Sequence, residues 1–230
     1  MEYNVQLYIQ RKESIPRLPY HRHRESRAVG KKRFCSITNA LLRPSRQIRH
    51  LHQRWRSYEK KVGSTSDFVT VEVREGWLER ALEEAKALKS KLKNSLLSGD
   101  GVVAGVLGEL ATCHALGGAG RHQNTYDWDI ALRGSTVDVK TKVRDRMPKT
   151  HYAASIPAIT RRQLCNYYIF TSAKRDLSEV YVLGYIPTDT FFKEAAVLEK
   201  GESDGNTSFV ARCKTYNLEY SKLYCIGEMR

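Results

Sequence analysis

YDWDIALRGSTVDVKTK, residues 126–142, sets three aspartates and two lysines inside two runs that otherwise read as strands. Aspartate is depleted in strands, and an unpaired charge there costs stability. Arg133 and Gly134 separate the runs and suit a two-residue hairpin turn. With that turn, paired positions sum to 267, which sets Asp129 opposite Asp138 and Asp127 opposite Lys140, all four on one face. Directly opposed residues hold their Cβ atoms about 4.5–5.5 Å apart, a separation at which like charges repel. A divalent cation between the carboxylates removes that repulsion. Mg²⁺ prefers one or two protein carboxylates, completed by water and substrate phosphate, and the two opposed aspartates supply that number.

Lys140 follows Asp138 by two residues and so shares its face. An ammonium there can orient an attacking water or stabilise charge on a phosphoryl oxygen. A third acid, Glu109, lies in GVVAGVLGELATCHAL (101–116), a run apolar almost all round and therefore expected as a buried helix. An unpartnered carboxylate is expensive in such a setting. Gly105 and Gly108 precede it and would let the helix approach the sheet closely enough for Glu109 to reach a metal or a lysine.

This combination, GVLGE in a helix, then DWDIAL, then VDVKTK, resembles the PD-(D/E)xK nuclease superfamily with its restriction-endonuclease-like core, over roughly residues 68–186. Matched by position, Asp129 takes the place of the first metal-binding aspartate, Asp138 that of the (D/E), Lys140 that of the lysine, and Glu109 that of the helix acid found in many members. The resemblance implies Mg²⁺, with Mn²⁺ as a substitute, held by Asp129, Asp138 and Glu109, and hydrolysis of DNA phosphodiester bonds. Trp128 stands where the motif name has proline, and Asp127 offers a rival first aspartate. Asp129 is preferred because it faces Asp138 in the register above. Asp127 and Lys142 remain as accessory residues. The simpler readings are a surface ion pair between Asp127 and Lys140, Glu109 paired with a nearby base, and a solvated Lys142, with His114 a hydrogen-bonded core residue of the buried helix.

The rest of the chain frames this site. The 230 residues carry a formal charge of +14 and a pI near 9.6, which points to a polyanionic partner. Residues 1–61 hold 16 Lys and Arg against four Glu, and residues 62–230 hold 23 against 21 acids, so nearly all of the excess lies in the first quarter. Residues 1–62 are therefore expected as a basic arm, partly disordered, with a short helix in PSRQIRHLHQRWRSYEKK (44–61) and GSTSD (63–67) as linker to a nuclease-like domain over 63–230.

In that domain FVTVEV (68–73), YYIFTS (167–172) and EVYVLGYI (179–186) read as strands, and the tail SFVARCKTYNLEYSKL as edge structure. Leu78, Ala81, Leu82, Ala85, Leu88, Leu92 and Leu96 form an apolar helical stripe ending at Gly99, which reads as core packing, with Glu83, Glu84, Lys89 and Lys93 opposite. Helical pieces follow near 158–165 and 188–197. The fold class is α/β (α+β), a restriction-endonuclease-like mixed β-sheet flanked by helices.

Five cysteines without metal-ligand spacing, no apolar run of 18 residues and no signal-like start suggest an intracellular protein, cytoplasmic or nucleoid-associated, without a membrane partner. The expected function is a metal-dependent deoxyribonuclease, an endonuclease by preference, acting on DNA with RNA still open as a substrate and a homodimer not excluded. The competing reading is a catalytically inactive nucleic-acid-binding module of the same fold.

Overall fold

The turn at Arg133-Gly134 forms as the sequence requires: φ is +47° and +82° at the two positions, the left-handed pair that matches the twist of a two-residue hairpin. It joins β3 (Ile130–Leu132) to β4 (Ser135–Arg144), and Ile130 pairs with Val137, Ala131 with Thr136 and Leu132 with Ser135, all in the expected register. The hairpin lies inside a six-stranded sheet. In a computed structural model that describes residues 60–91, 100–123, 125, 127–205 and 209–229, the other strands of this sheet are β1 (Val69–Glu72), β2 (Gly120–His122), β6 (Tyr167–Lys174) and β7 (Glu179–Pro187), in the order β1-β7-β6-β4-β3-β2. All pairings are antiparallel except β4 with β6, which is parallel over Val137–Arg144. The protein is thus mixed α/β, with a mixed sheet and few helices.

Three helices accompany the sheets: α1 (Trp77–Lys91), α2 (Asp100–Ala115) and α3 (Thr188–Glu194). α2 packs across the sheet and against α1. Its Val103, Ala104, Val106, Leu107, Leu110 and Ala111 are buried, as expected of a helix apolar on most sides. Gly108 sits where a Cβ would come within 2.1 Å of Thr141 Oγ1 and 2.7 Å of Thr171 Oγ1, so glycine is what brings the helix down onto β4 and β6. At Gly105 a Cβ would meet open space, and that residue plays no part in the approach. His114, expected in the core, is exposed on the last turn of α2 and takes a hydrogen bond from Arg74 Nη2 at 3.1 Å.

Odd residues of β4 and β6 face α2, as Thr141 and Thr171 show. Even residues face the other way. There Tyr168 and Phe170 stack on Phe191 of α3 at centroid distances of 5.7 and 5.6 Å. The Phe191 ring is wholly buried. A second sheet, β5 (Ala153–Pro157), β9 (Thr215–Glu219) and β8 (Ala196–Leu198), has β9 at its centre. The tail expected as edge structure thus supplies a central strand.

Two further expectations change. α1 buries its expected apolar stripe only in part: Ala81 is fully buried, but Leu78 and Leu82 are 38% and 44% exposed, while Trp77, Glu84 and Ala85 are half-buried. The helix is rolled so that its smallest residues meet α2. The expected linker at 63–67 holds a 3₁₀ turn, Thr65–Asp67, with Asp67 Oδ2 accepting from Gly63 and Ser64 N–H. Just before it Val62 is buried and hydrogen-bonds Leu223 O. The expected arm and its short helix, up to residue 59, lie outside the described residues, as do Leu92, Leu96 and Gly99.

Candidate metal and phosphodiester site

β3 begins at Ile130, one residue short of the expected facing pair. Asp129 N–H donates to Val137 O at 2.9 Å, and the Asp129 Oδ2 accepts from Val139 N–H at 2.7 Å. The side chain therefore holds the place in the ladder that a main-chain carbonyl would hold if β3 continued. Asp129 and Asp138 are not paired across the strands. Asp129 ends the pairing, and the sheet opens at that point. Asp138 is 2% exposed on the even face of β4. Burial, then the charges of Glu109 and Asp138, push Asp129 well above the usual carboxylate range.

Lys140 Nζ lies 2.6 Å from Asp138 Oδ2 and donates to Gln163 Oε1 at 3.1 Å. The contact with Asp138 lacks hydrogen-bond direction, and Oδ2 is buried without a hydrogen-bond partner. A buried carboxylate oxygen in that condition is costly. Burial raises the Asp138 pKa, with Lys140 the main opposing influence. The expected opposition of Asp127 to Lys140 does not occur. The Asp127 carboxylate instead takes the Leu164 N–H at 3.4 Å, on the loop that also carries Gln163.

Glu109 arrives from α2, on the odd face, and is 8% exposed. Burial raises its pKa, and the charges of Glu84 and Asp138 push the same way. Because Asp129 sits where the ladder breaks, Glu109 from one face and Asp138 from the other both lie within electrostatic reach of it. Glu109 Oε2 accepts from His122 Nε2 at 2.6 Å. His122 Nδ1 accepts from Arg80 Nη2 at 2.9 Å, and Arg80 Nε donates to Glu84 Oε1 at 2.8 Å. A guanidinium has only donors, so the imidazole carries its proton on Nε2. Among the described residues, Glu84, Glu109 and His122 are the group whose donor atoms all fall within 4.8 Å of one another, and they could hold a metal ion. The Asp129, Asp138 and Glu109 carboxylates do not converge that tightly.

Lys142, two residues beyond Lys140, does not continue toward this cluster. Its ammonium donates to Ala153 O at 2.9 Å and Ser155 Oγ at 2.8 Å on β5. Burial, with Arg144 beside it, pulls its pKa down to about 8.

Sequence reasoning missed Glu84, His122 and Arg80. The leucine stripe puts Glu84 on the outer face of α1, whereas Glu84 is half-buried and Leu78 and Leu82 are the exposed residues. The spacing Trp77, Ala81, Glu84, Ala85 is the inward-facing row and was the available signal. His122 lies in a three-residue strand too short for any pattern to reveal.

The sequence matches no protein-family model and no curated protein.

Proposed function

We propose that the chain is a metal-dependent deoxyribonuclease with a restriction-endonuclease-like core of the PD-(D/E)xK type, cutting internal phosphodiester bonds. One observation carries the reading: an acid and a lysine two residues apart on a central strand, Asp138 with a buried oxygen lacking a hydrogen-bond partner and Lys140 at its side, beside the ladder break made by Asp129. Three acids that burial pushes toward protonation, with neighbouring carboxylates adding to it at Glu109 and Asp129, describe a place where a divalent cation lowers the free energy.

The donor set fits Mg²⁺ or Mn²⁺, which take hard oxygen ligands. Asp138 Oδ2 and the Asp129 oxygen not spent on Val139 would be its main protein ligands, with Glu109 nearby. Bound there, the ion supplies Lewis-acid polarisation of the phosphoryl oxygen and a more acidic water. Asp138 and Asp129 would hold that ion where the hairpin pairing ends. Lys140, held by Gln163 and Asp138, points its ammonium at the water or at the charge that builds on phosphorus-bound oxygen. Water oxygen forms a bond to phosphorus as the bond to the departing sugar oxygen breaks; the proton lost by water goes to solvent, and the sugar oxygen takes a proton from solvent to leave as an alcohol.

The second reading, a nucleic-acid-binding module that does not cut, has its own observation: Lys140 and Asp138 already satisfy each other's charge. Supercoiled and linear DNA incubated with wild type and Lys140→Ala, in Mg²⁺, Mn²⁺ or EDTA, decides between the two. The nuclease reading requires nicked or linear product from wild type, lost in EDTA and in the variant. DNA binding with no product in any metal leaves the binding module.

A further inference from the structure

We propose that Glu84, Glu109 and His122 form a second divalent-metal site, selective for Zn²⁺ or Mn²⁺ over Mg²⁺, that shares Glu109 with the Asp129–Asp138 pair and is held in waiting by Arg80. The inference deepens the nuclease reading through the shared carboxylate, while the binding it claims can be tested apart from cleavage.

The three ligands come from α1, α2 and β2, and none of them lies on the D-x-K strand. His122 pairs with Ile130, the first residue after Asp129, and Gln123 N–H donates to Asp129 O at 2.8 Å. The two sites are thus neighbours across the ladder break. Their donor chemistry differs. Imidazole with two carboxylates suits Zn²⁺ and Mn²⁺, whereas Mg²⁺ favours oxygen alone. Three protein ligands with a position left for water is also the arrangement of open zinc sites.

Arg80 supplies an independent pointer. Its guanidinium is a cation already seated on two of the three ligands, at 2.8 Å from Glu84 and 2.9 Å from His122, and its side chain is 49% exposed. A metal bound at His122 Nε2 displaces the Nε2–H bond to Glu109 and moves the ring proton to Nδ1. Nδ1–H then faces a guanidinium that only donates, and Arg80 must swing out. Its exposure makes that movement cheap. Metal and Arg80 compete for Glu84 and require opposite tautomers of His122, so removing Arg80 tightens metal binding.

The experiment is calorimetric titration of the metal-stripped full chain with ZnCl₂, alongside Glu84→Gln, His122→Gln, Asp138→Asn and Arg80→Ala. Loss of even an outer-shell partner costs about 10- to 100-fold in metal affinity, so Glu84→Gln and His122→Gln should each weaken one equivalent of Zn²⁺ by about tenfold or more. Asp138→Asn should keep that equivalent, and Arg80→Ala should bind it more tightly than wild type. Zn²⁺ binding unchanged in both ligand variants, or weakened in Arg80→Ala, overturns the inference. Metal-free melting curves report whether each variant folds. Glu84 is part-exposed, so Glu84→Gln carries the test if His122→Gln does not fold. Zinc behaviour as described with no DNA cutting in any metal would sink the nuclease reading and leave this site standing. Lys140-dependent cutting with zinc binding indifferent to Glu84 and His122 would do the reverse.

Discussion

Lys140 and Lys142 are two residues apart on one strand face, and the structure gives them opposite situations. Lys140 is tied to Asp138 and Gln163 at the open end of the sheet. Lys140→Ala should lower cleavage by about 10²- to 10³-fold if its ammonium stabilises charge in the transition state, with DNA affinity nearly unchanged, measured by initial rates and by binding in EDTA. Lys142 is buried against β5 with its pKa lowered to about 8 from 10.5. In a group of this kind the unfolded chain takes up its proton first as pH falls. The folded state therefore loses stability between about pH 10.5 and pH 8, and carries the full penalty below that. Lys142→Met should gain melting temperature relative to wild type at pH 7, and that relative gain should shrink by pH 10. A gain identical at both pH values would mean the ammonium is better solvated than its burial indicates.

At the scale of elements, α2 and the hairpin place the site, and glycine decides how closely they meet. Gly108→Ala puts a methyl 2.1 Å from Thr141 Oγ1. It should cost about 1–3 kcal/mol of stability and reduce cleavage further by moving Glu109. Gly105→Ala meets nothing within 4 Å and should stabilise α2 by up to about 1 kcal/mol. Urea titration of both variants separates contact from propensity. The hairpin, its register and the glycine-flanked acid were legible because turn chemistry and strand period are local. The end of β3 was not, because Asp129 replaces a backbone acceptor with its own side chain, a choice that depends on where Val139 N–H lies. The roll of α1 was hidden for a related reason. Leucine marks an apolar stripe, but close packing of two helices selects Ala81 and Ala85 and leaves Leu78 and Leu82 outside.

For the whole molecule, the excess positive charge lies in the first quarter of the sequence. The described residues begin at Lys60, whose ammonium meets Asp67 at 2.5 Å, and residues 1–59 carry 14 Lys and Arg against four Glu. Deleting 1–59 removes that charge and leaves residues 60–230. The same deletion should flatten the dependence of log affinity for DNA on log salt, because each phosphate neutralised contributes about −0.9 to that slope. Fluorescence anisotropy at several salt concentrations checks it, and an unchanged slope would assign DNA contact to the sheet domain alone.

β4 is an interior strand whose parallel partner, β6, begins 23 residues after β4 ends. Parallel pairing of that kind forms late, since the intervening loop must close before any contact rewards it. A ribosome-bound chain that has already exposed Asp129, Asp138 and Lys140 therefore holds them on a hairpin with one side bare. Asp138 acquires its neighbour Tyr168, and Lys140 its tether to Gln163, only once later sequence has emerged. During synthesis the chain would carry every residue of the proposed site for a second or more at ordinary elongation rates of about 5–20 residues per second without being able to assemble it.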